Sequence, residues 1–240
     1  MTDLEQFTQL PEEFDGRVRL FPLPDLVVFP NAMQPLHIFE PRYCEMFEEA
    51  LATDRLIAMA TLAPGWEHQP GEPPKLESHV CICRVVSHAA TEDDRHNVLL
   101  VGLRRGRIVE ELETTRPFRM ANVEVRSDLY PLASGGQRPA LKRQLLDSFR
   151  QLIPEVAEVQ KNLHELMASQ MQLGPVTDII GFTMQFDTAN KLLLLAENDV
   201  DARARLLIEI LQAREPEADS SDETLMFPKK TPFPPPFSLN

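Results

Sequence analysis

Apolar positions change their period midway along this chain of 240 residues. From residue 55 to 126 they fall in short runs between polar, proline or glycine punctuation, the pattern of strands. The runs predict strands at Arg55–Leu62, His79–Ala89, Asn97–Val101, Arg105–Glu111 and Phe118–Arg126, with loops at Ala63–Ser78 and Glu92–Arg95. Before them, Tyr43, Met46, Phe47, Ala50 and Leu51 make one helical stripe that begins just after Pro41. A proline suits the first turn of a helix, where a missing N–H leaves no bond unmade. Past a loop at Ser127–Pro139, the spacing of Leu141, Leu145, Phe149, Leu152, Val156, Val159, Leu163 and Leu166 is helical, with Pro154 starting a second helix or kinking one. Further helices are predicted at Val176–Gln185, Thr188–Ala196 and Val200–Ala213, the last capped by Asn198 or Asp199. The fold class is therefore α+β, a curled β-sheet or small barrel followed by a helical part.

One stretch fits neither period. Leu20–Tyr43 holds five prolines among apolar residues and little charge. So many fixed φ angles and missing donors argue against a central strand. A short strand is expected at Asp25–Phe29, followed by a rigid apolar loop over Pro30–Phe39. Such a loop either plugs the end of a barrel or forms a binding surface. Met33, Pro35, Ile38 and Phe39 are its candidate contacts, joined by Trp66, the sole tryptophan, in a loop rich in proline and glycine. Flexible methionine and planar aromatics suit recognition of varied apolar peptides.

Charge and cysteine narrow the classes. The net charge is -13 and no region is basic, which disfavours phosphate-driven nucleic-acid binding. Residues 1–16 form an acidic arm, residues 17–127 the β-rich part, residues 128–212 the helical part, and residues 213–240 an acidic then Pro/Phe-rich tail expected to be disordered, with polyproline II character at Pro232–Pro236. The N-terminus lacks the features of a signal peptide, and no apolar run reaches the ~20 residues of a membrane span. Three cysteines make no disulfide framework, which fits a reducing cytoplasm. Cys81 and Cys83 are two apart on a strand and suit a core better than a metal site, so neither metal nor cofactor is expected. Arg104, Arg105 and Arg107 form the one basic cluster, flanked by Gly102 and Gly106 in what reads as a hairpin turn. They either hold a carboxylate or phosphate, or pair with Glu110, Glu111 or Glu113 across the hairpin. Glu40 and Arg42 read as a clamp at the helix start.

Three blocks carry a family resemblance. FPLPDLVVFPNAMQPLHIFEPRY at 21–43 resembles the opening of the N-terminal domain of the ATP-dependent Lon proteases, and bacterial proteins that consist of that domain alone. LLVGLRRGRIV at 99–109 is similar to a hairpin of that family, and the helices of Thr177–Leu211 to the end of its domain. The resemblance implies a PUA-like pseudo-barrel followed by a C-terminal helical bundle. It implies recognition of unfolded or degron-bearing polypeptides, in partnership with a protease or chaperone, and no membrane partner. The sequence holds no G-x-x-x-x-G-K-[ST] phosphate loop, so ATP hydrolysis and peptide cleavage are not expected. The expected role is a non-enzymatic, cytoplasmic peptide-binding module, or adaptor in protein quality control. The alternative is a PUA-like RNA- or nucleotide-binding domain that uses Arg104, Arg105 and Arg107. The sequence sets no oligomeric state.

Overall fold

Alternating apolar residues between positions 17 and 126 assemble one six-stranded sheet. The structure is a computed structural model and describes residues 9–66, 73–91, 95–152 and 170–213. Its strands are β1 (Arg17–Leu23), β2 (Met33–Ile38), β3 (Leu56–Thr61), β4 (His79–Ala90), β5 (His96–Leu112) and β6 (Met120–Arg126). Their order is β2-β5-β4-β3-β1-β6, and β6 pairs again with β5. Only β1 and β3 run parallel. Five strands thus close a circuit through β5 while β2 extends outside it, which makes a curled sheet rather than a clean barrel. Val18, Leu20, Leu56, Ala58, Ala60, Val80, Ile82, Leu103, Ala121 and Val123 from those five strands form one buried cluster.

Two expectations are corrected here. Asp25–Phe29 is not a strand: the strand comes earlier, at Arg17–Leu23, and Val27, Val28 and Phe29 are buried in irregular chain. Pro22 is tolerated in β1 because β6 pairs with Arg17–Arg19 and β3 with Leu20–Leu23, so the proline has a neighbour on one side only. Nor is there a hairpin at Gly102–Gly106. β5 runs straight through it for 17 residues, pairing β2 along His96–Val101 and β6 along Arg105–Leu112. The glycines serve close approach instead. A Cβ on Gly102 would lie 2.0 Å from the Phe29 carbonyl oxygen, and one on Gly106 would lie 3.1 Å from Val80. Gly102 also binds the loop directly, donating to Ala32 O and accepting from Asn31 N, both at 2.9 Å. A register shift against β4 between Ile82 and Cys83 puts an extra residue at Leu103.

Helix α1 (Pro41–Ala52) has Pro41 in its first turn and buries Tyr43, Met46, Phe47 and Ala50. The Tyr43 ring packs 4.6 Å from Phe21 of β1. Burying each of the larger side chains contributes about 1.5–3 kcal/mol. The Glu40 carboxylate, at the cap position, does not accept from the helix backbone; Arg42 Nη2 holds it at 2.7 Å.

The chain divides into two compact units between Arg126 and Ser127. The second holds a 3-10 turn at Leu132–Gln137 and the helices α2 (Arg138–Gln151), α3 (Leu173–Thr183), α4 (Thr188–Ala196) and α5 (Val200–Ala213). α5 packs on the other three. Asp199 caps it, accepting from Asp201 N at 2.9 Å and Ala202 N at 3.0 Å. Gly174 and Pro175, expected as punctuation, lie inside the first turn of α3. The expected helix positions from Val156 to Leu166, the turn residues 92–94, most of the acidic arm and the tail beyond Ala213 lie outside the described residues.

Candidate functional site

β2 is an edge strand, paired through its whole length with β5, and among the described residues no strand pairs with its other side. Pro35 pairs with Leu99. A proline keeps this ladder intact only with its nitrogen turned away from β5, so the outer edge has no donor at its centre. Side chains alternate as the pleat requires. Met33, Pro35 and His37 are exposed, and Phe39 follows just past the strand. Met33 is 47% and Phe39 60% exposed; Val109, Leu129, Leu132 and Leu193 are the other large apolar side chains exposed among the described residues. The His37 ring stacks on Phe39 at 6.1 Å and 25°, and its Nδ1 lies 2.8 Å from Asn97 Oδ1, which fixes the aromatic end of the row. Six residue steps make a strip about 20 Å long.

The expected contacts are therefore only partly brought together. Met33, Pro35 and Phe39 share the strip, on a strand where a loop was expected. Ile38 is corrected: it faces the other way, is 2% exposed and belongs to the core. Trp66 is half-buried on the connection between β3 and β4, away from the strip in sequence and in strand order. The arginine cluster is also divided. Arg105 is 3% exposed, Arg104 half-buried and Arg107 exposed. Of the glutamates expected to pair with them, Glu110 and Glu111 lie further along the same strand and Glu113 just past its end; Glu111 binds Arg119 at 2.5 Å and Glu110 accepts from Asn122 at 2.7 Å. Cys81 and Cys83 are fully buried.

A polar cleft of about 550 Å³ opens elsewhere in the first unit, lined by Phe14, Arg17, Arg19, Glu49, Asp54 and Arg116 among others. At its base the buried Arg19 donates to Glu49 Oε1 at 2.9 Å, Asp54 Oδ1 at 2.8 Å and Thr53 Oγ1 at 2.7 Å. Arg116 holds the other Glu49 oxygen at 2.6 Å. Burial pushes the Glu49 carboxyl up, but Arg116 and Arg19 outweigh it and leave the group below its ordinary value. These charges satisfy one another, tying β1 to the end of α1.

The second unit has its own network. Arg203 is 1% exposed, donates to both Asp128 oxygens at 2.9 Å and to Thr177 Oγ1 at 2.9 Å, and lies 3.5 Å from Asp178. A groove of about 610 Å³ between α2 and α5 is floored by Asp201, bound by Arg138 at 2.8 Å and by the Ser134 hydroxyl. Burial raises the Asp201 carboxyl; those two donors reverse the effect and hold it low. Among the described residues no three His, Cys, Asp or Glu side chains are grouped to hold a metal ion. No helix among them is long and apolar enough to cross a membrane.

The chain has known counterparts. The description "ATP-dependent protease La (LON) substrate-binding domain" matches residues 17–213. The chain belongs to this Lon substrate-binding domain family. It is 29% identical to a Lon protease of Heliobacterium modesticaldum over 217 residues, covering 90% of this chain and 26% of that protein. It is 25% identical to Lon protease 2 of Myxococcus xanthus, covering 85% of this chain and 24% of the relative. The chain thus spans about a quarter of the length of the curated relatives it matches. Among solved structures it resembles the N-terminal domain of a Mycobacterium avium complex Lon protease, with a TM-score of 0.63 at 16% identity over 82% of this chain and 98% of that one. It also resembles a Lon N-terminal domain protein from Xanthomonas campestris, with a TM-score of 0.55 at 19% identity over 80% and 97%. In this Lon-type domain, sequence reasoning named Met33, Pro35 and Phe39 but placed them on a loop, and it missed Arg19, Arg203 and His37. Arg203 left a signal, because it occupies a position in the apolar stripe of Val200, Ala204, Leu207 and Leu211.

Proposed function

We propose that this chain is a polypeptide-binding module that takes exposed apolar stretches of unfolded or degron-bearing proteins on the face of β2 and breaks no bond itself. Family membership supports the binding class, and the exposed strip of Met33, Pro35 and Phe39 carries the reading. Large apolar side chains held on a rigid strand offer area to a client at low ordering cost. The closure of β5 on β6 supports a PUA-like description of the sheet, and the helices of the second unit a bundle. The module works in the cytoplasm beside a protease or chaperone, and the tail beyond residue 213 offers a second contact that suits an adaptor. Arg105 is packed away, so the arginines do not favour the RNA- or nucleotide-binding alternative.

The test is binding to a permanently unfolded probe, reduced and carboxymethylated lactalbumin, followed by fluorescence anisotropy. Met33→Asp and Phe39→Asp replace exposed side chains and leave the melting temperature unchanged. Each weakens binding about tenfold, the loss of ~1.4 kcal/mol. Wild-type affinity in both variants refutes the reading. Comparing co-purified proteins with and without residues 215–240 tests the adaptor role; identical sets remove the tail from it.

A further inference from the structure

The β2 strip has no partner among the described residues, and the chain carries a segment that fits it. We propose that Phe227–Phe237 of this same chain docks on the β2 strip when no client is bound, and so competes with clients; this rests on the binding role given to that strip. The sequence there is FPKKTPFPPPF. Residues 17–213 match the Lon domain and this segment lies beyond them, so it is an addition to that match.

Three features favour this occupant. The first is spacing. Phe227 and Phe233 are six residues apart, about 19 Å in the polyproline II geometry that prolines favour. Met33 to Phe39 is the same six steps, about 20 Å of strand. The second is bonding. Pro35 deprives the outer edge of β2 of a donor at its centre, which weakens strand addition but does not affect docking by stacked rings. A proline-rich segment asks for no ladder, and little freedom is lost when it binds an aromatic and proline surface. The third is charge. Residues 224–240 carry Lys229 and Lys230 and no acid, in a chain of net charge -13. α1 begins two residues after Phe39 and exposes Glu45 and Glu48. Glu48 reaches to 3.9 Å of His96, the ladder partner of Ile38, so it lies at the Phe39 end of β2 but on the side of the sheet that Ile38 faces. Glu40 and Arg42 neutralise each other, which leaves Glu45 and Glu48 as exposed acids of α1 that two lysines could meet. Fourteen residues from Ala213 to Phe227 reach about 50 Å when extended.

The experiment places a benzophenone amino acid at position 39 of the full chain, irradiates at low concentration and maps the products by mass spectrometry. The expected product is an intramolecular link to residues 224–237, with a yield independent of dilution. Replacing Phe227, Phe233 and Phe237 by alanine in the full chain abolishes it, and Lys229→Glu with Lys230→Glu lowers it several-fold. The triple alanine variant also binds carboxymethylated lactalbumin several-fold more tightly than wild type. A link whose yield grows with concentration makes a second copy the occupant and overturns the proposal. No tail link, with Phe39→Asp still weakening binding to lactalbumin, overturns it and leaves the client site standing. Lactalbumin binding untouched by Phe39→Asp removes both.

Discussion

Gly174 shows how one missing atom holds a network together. A Cβ there would lie 2.2 Å from the Asp128 carboxylate and 2.6 Å from the Tyr130 hydroxyl, the groups that face Arg203. Both are held in place, so neither yields cheaply. Gly174→Ala pushes Asp128 off its two bonds to a fully buried guanidinium, and the loss is about 2–3 kcal/mol or more in urea unfolding. An alanine variant as stable as wild type shows that the Asp128–Arg203 pair contributes little. Glu49 gives a pH-dependent case. Its carboxyl lies below the ordinary 4.5 in the folded chain, so the unfolded chain binds the extra proton as pH falls. The stabilisation is complete above pH 4.5 and drains away as pH drops through the lower folded value. Glu49→Gln is less stable than wild type at pH 7 and loses less stability between pH 5 and about 3, read from urea midpoints across that range. A steeper acid loss in the variant contradicts the assignment.

At the scale of elements, Gly102 is the position where β5 passes under the loop that leads into β2. A side chain there meets the Phe29 carbonyl at 2.0 Å and Cys81 Sγ at 3.0 Å. Gly102→Ala lowers the melting temperature by several degrees and reduces lactalbumin binding, because the loop that starts β2 is displaced. Unchanged binding separates the strip from that loop. The same region marks where sequence and structure part. Helices were legible because a period of 3.6 repeats over many residues: α4 and α5 match their expected bounds, and β3 and β4 lie within a residue of theirs. The proline-rich opening was not, because proline excludes a strand only where both sides are paired. Pro22 and Pro35 each have one free side, a fact of sheet order and not of local sequence. Glycine misled in the same way on β5, where Gly102 and Gly106 mark close packing and not a turn. For the candidate site, residue type named Met33, Pro35, Ile38 and Phe39 together, and the structure exposes the first two and Phe39. Residue type could not separate Ile38 from them, since that depends on the strand's alternation, nor reveal that Arg105 is buried while Arg107 is exposed.

At the scale of the molecule, two units divide the work of stability in different ways. The first encloses an apolar interior with five strands and leaves the sixth to present a greasy face. The second is pinned by the buried ions around Arg203. A chain with net charge -13 exposes Met33 and Phe39 on one strand-end strip, and exposes Val109, Leu129, Leu132 and Leu193 elsewhere in the sequence. The most direct test observes Met33 itself. With methionine methyl groups carbon-13 labelled, two-dimensional spectra follow all nine methionines as carboxymethylated lactalbumin is added. The Met33 resonance is identified by its loss in Met33→Leu. It shifts and broadens with the client at the concentrations where binding occurs, while the buried Met46 and Met59 stay fixed. A Met33 signal that does not move through saturation contradicts the assignment of β2 as the client-binding face.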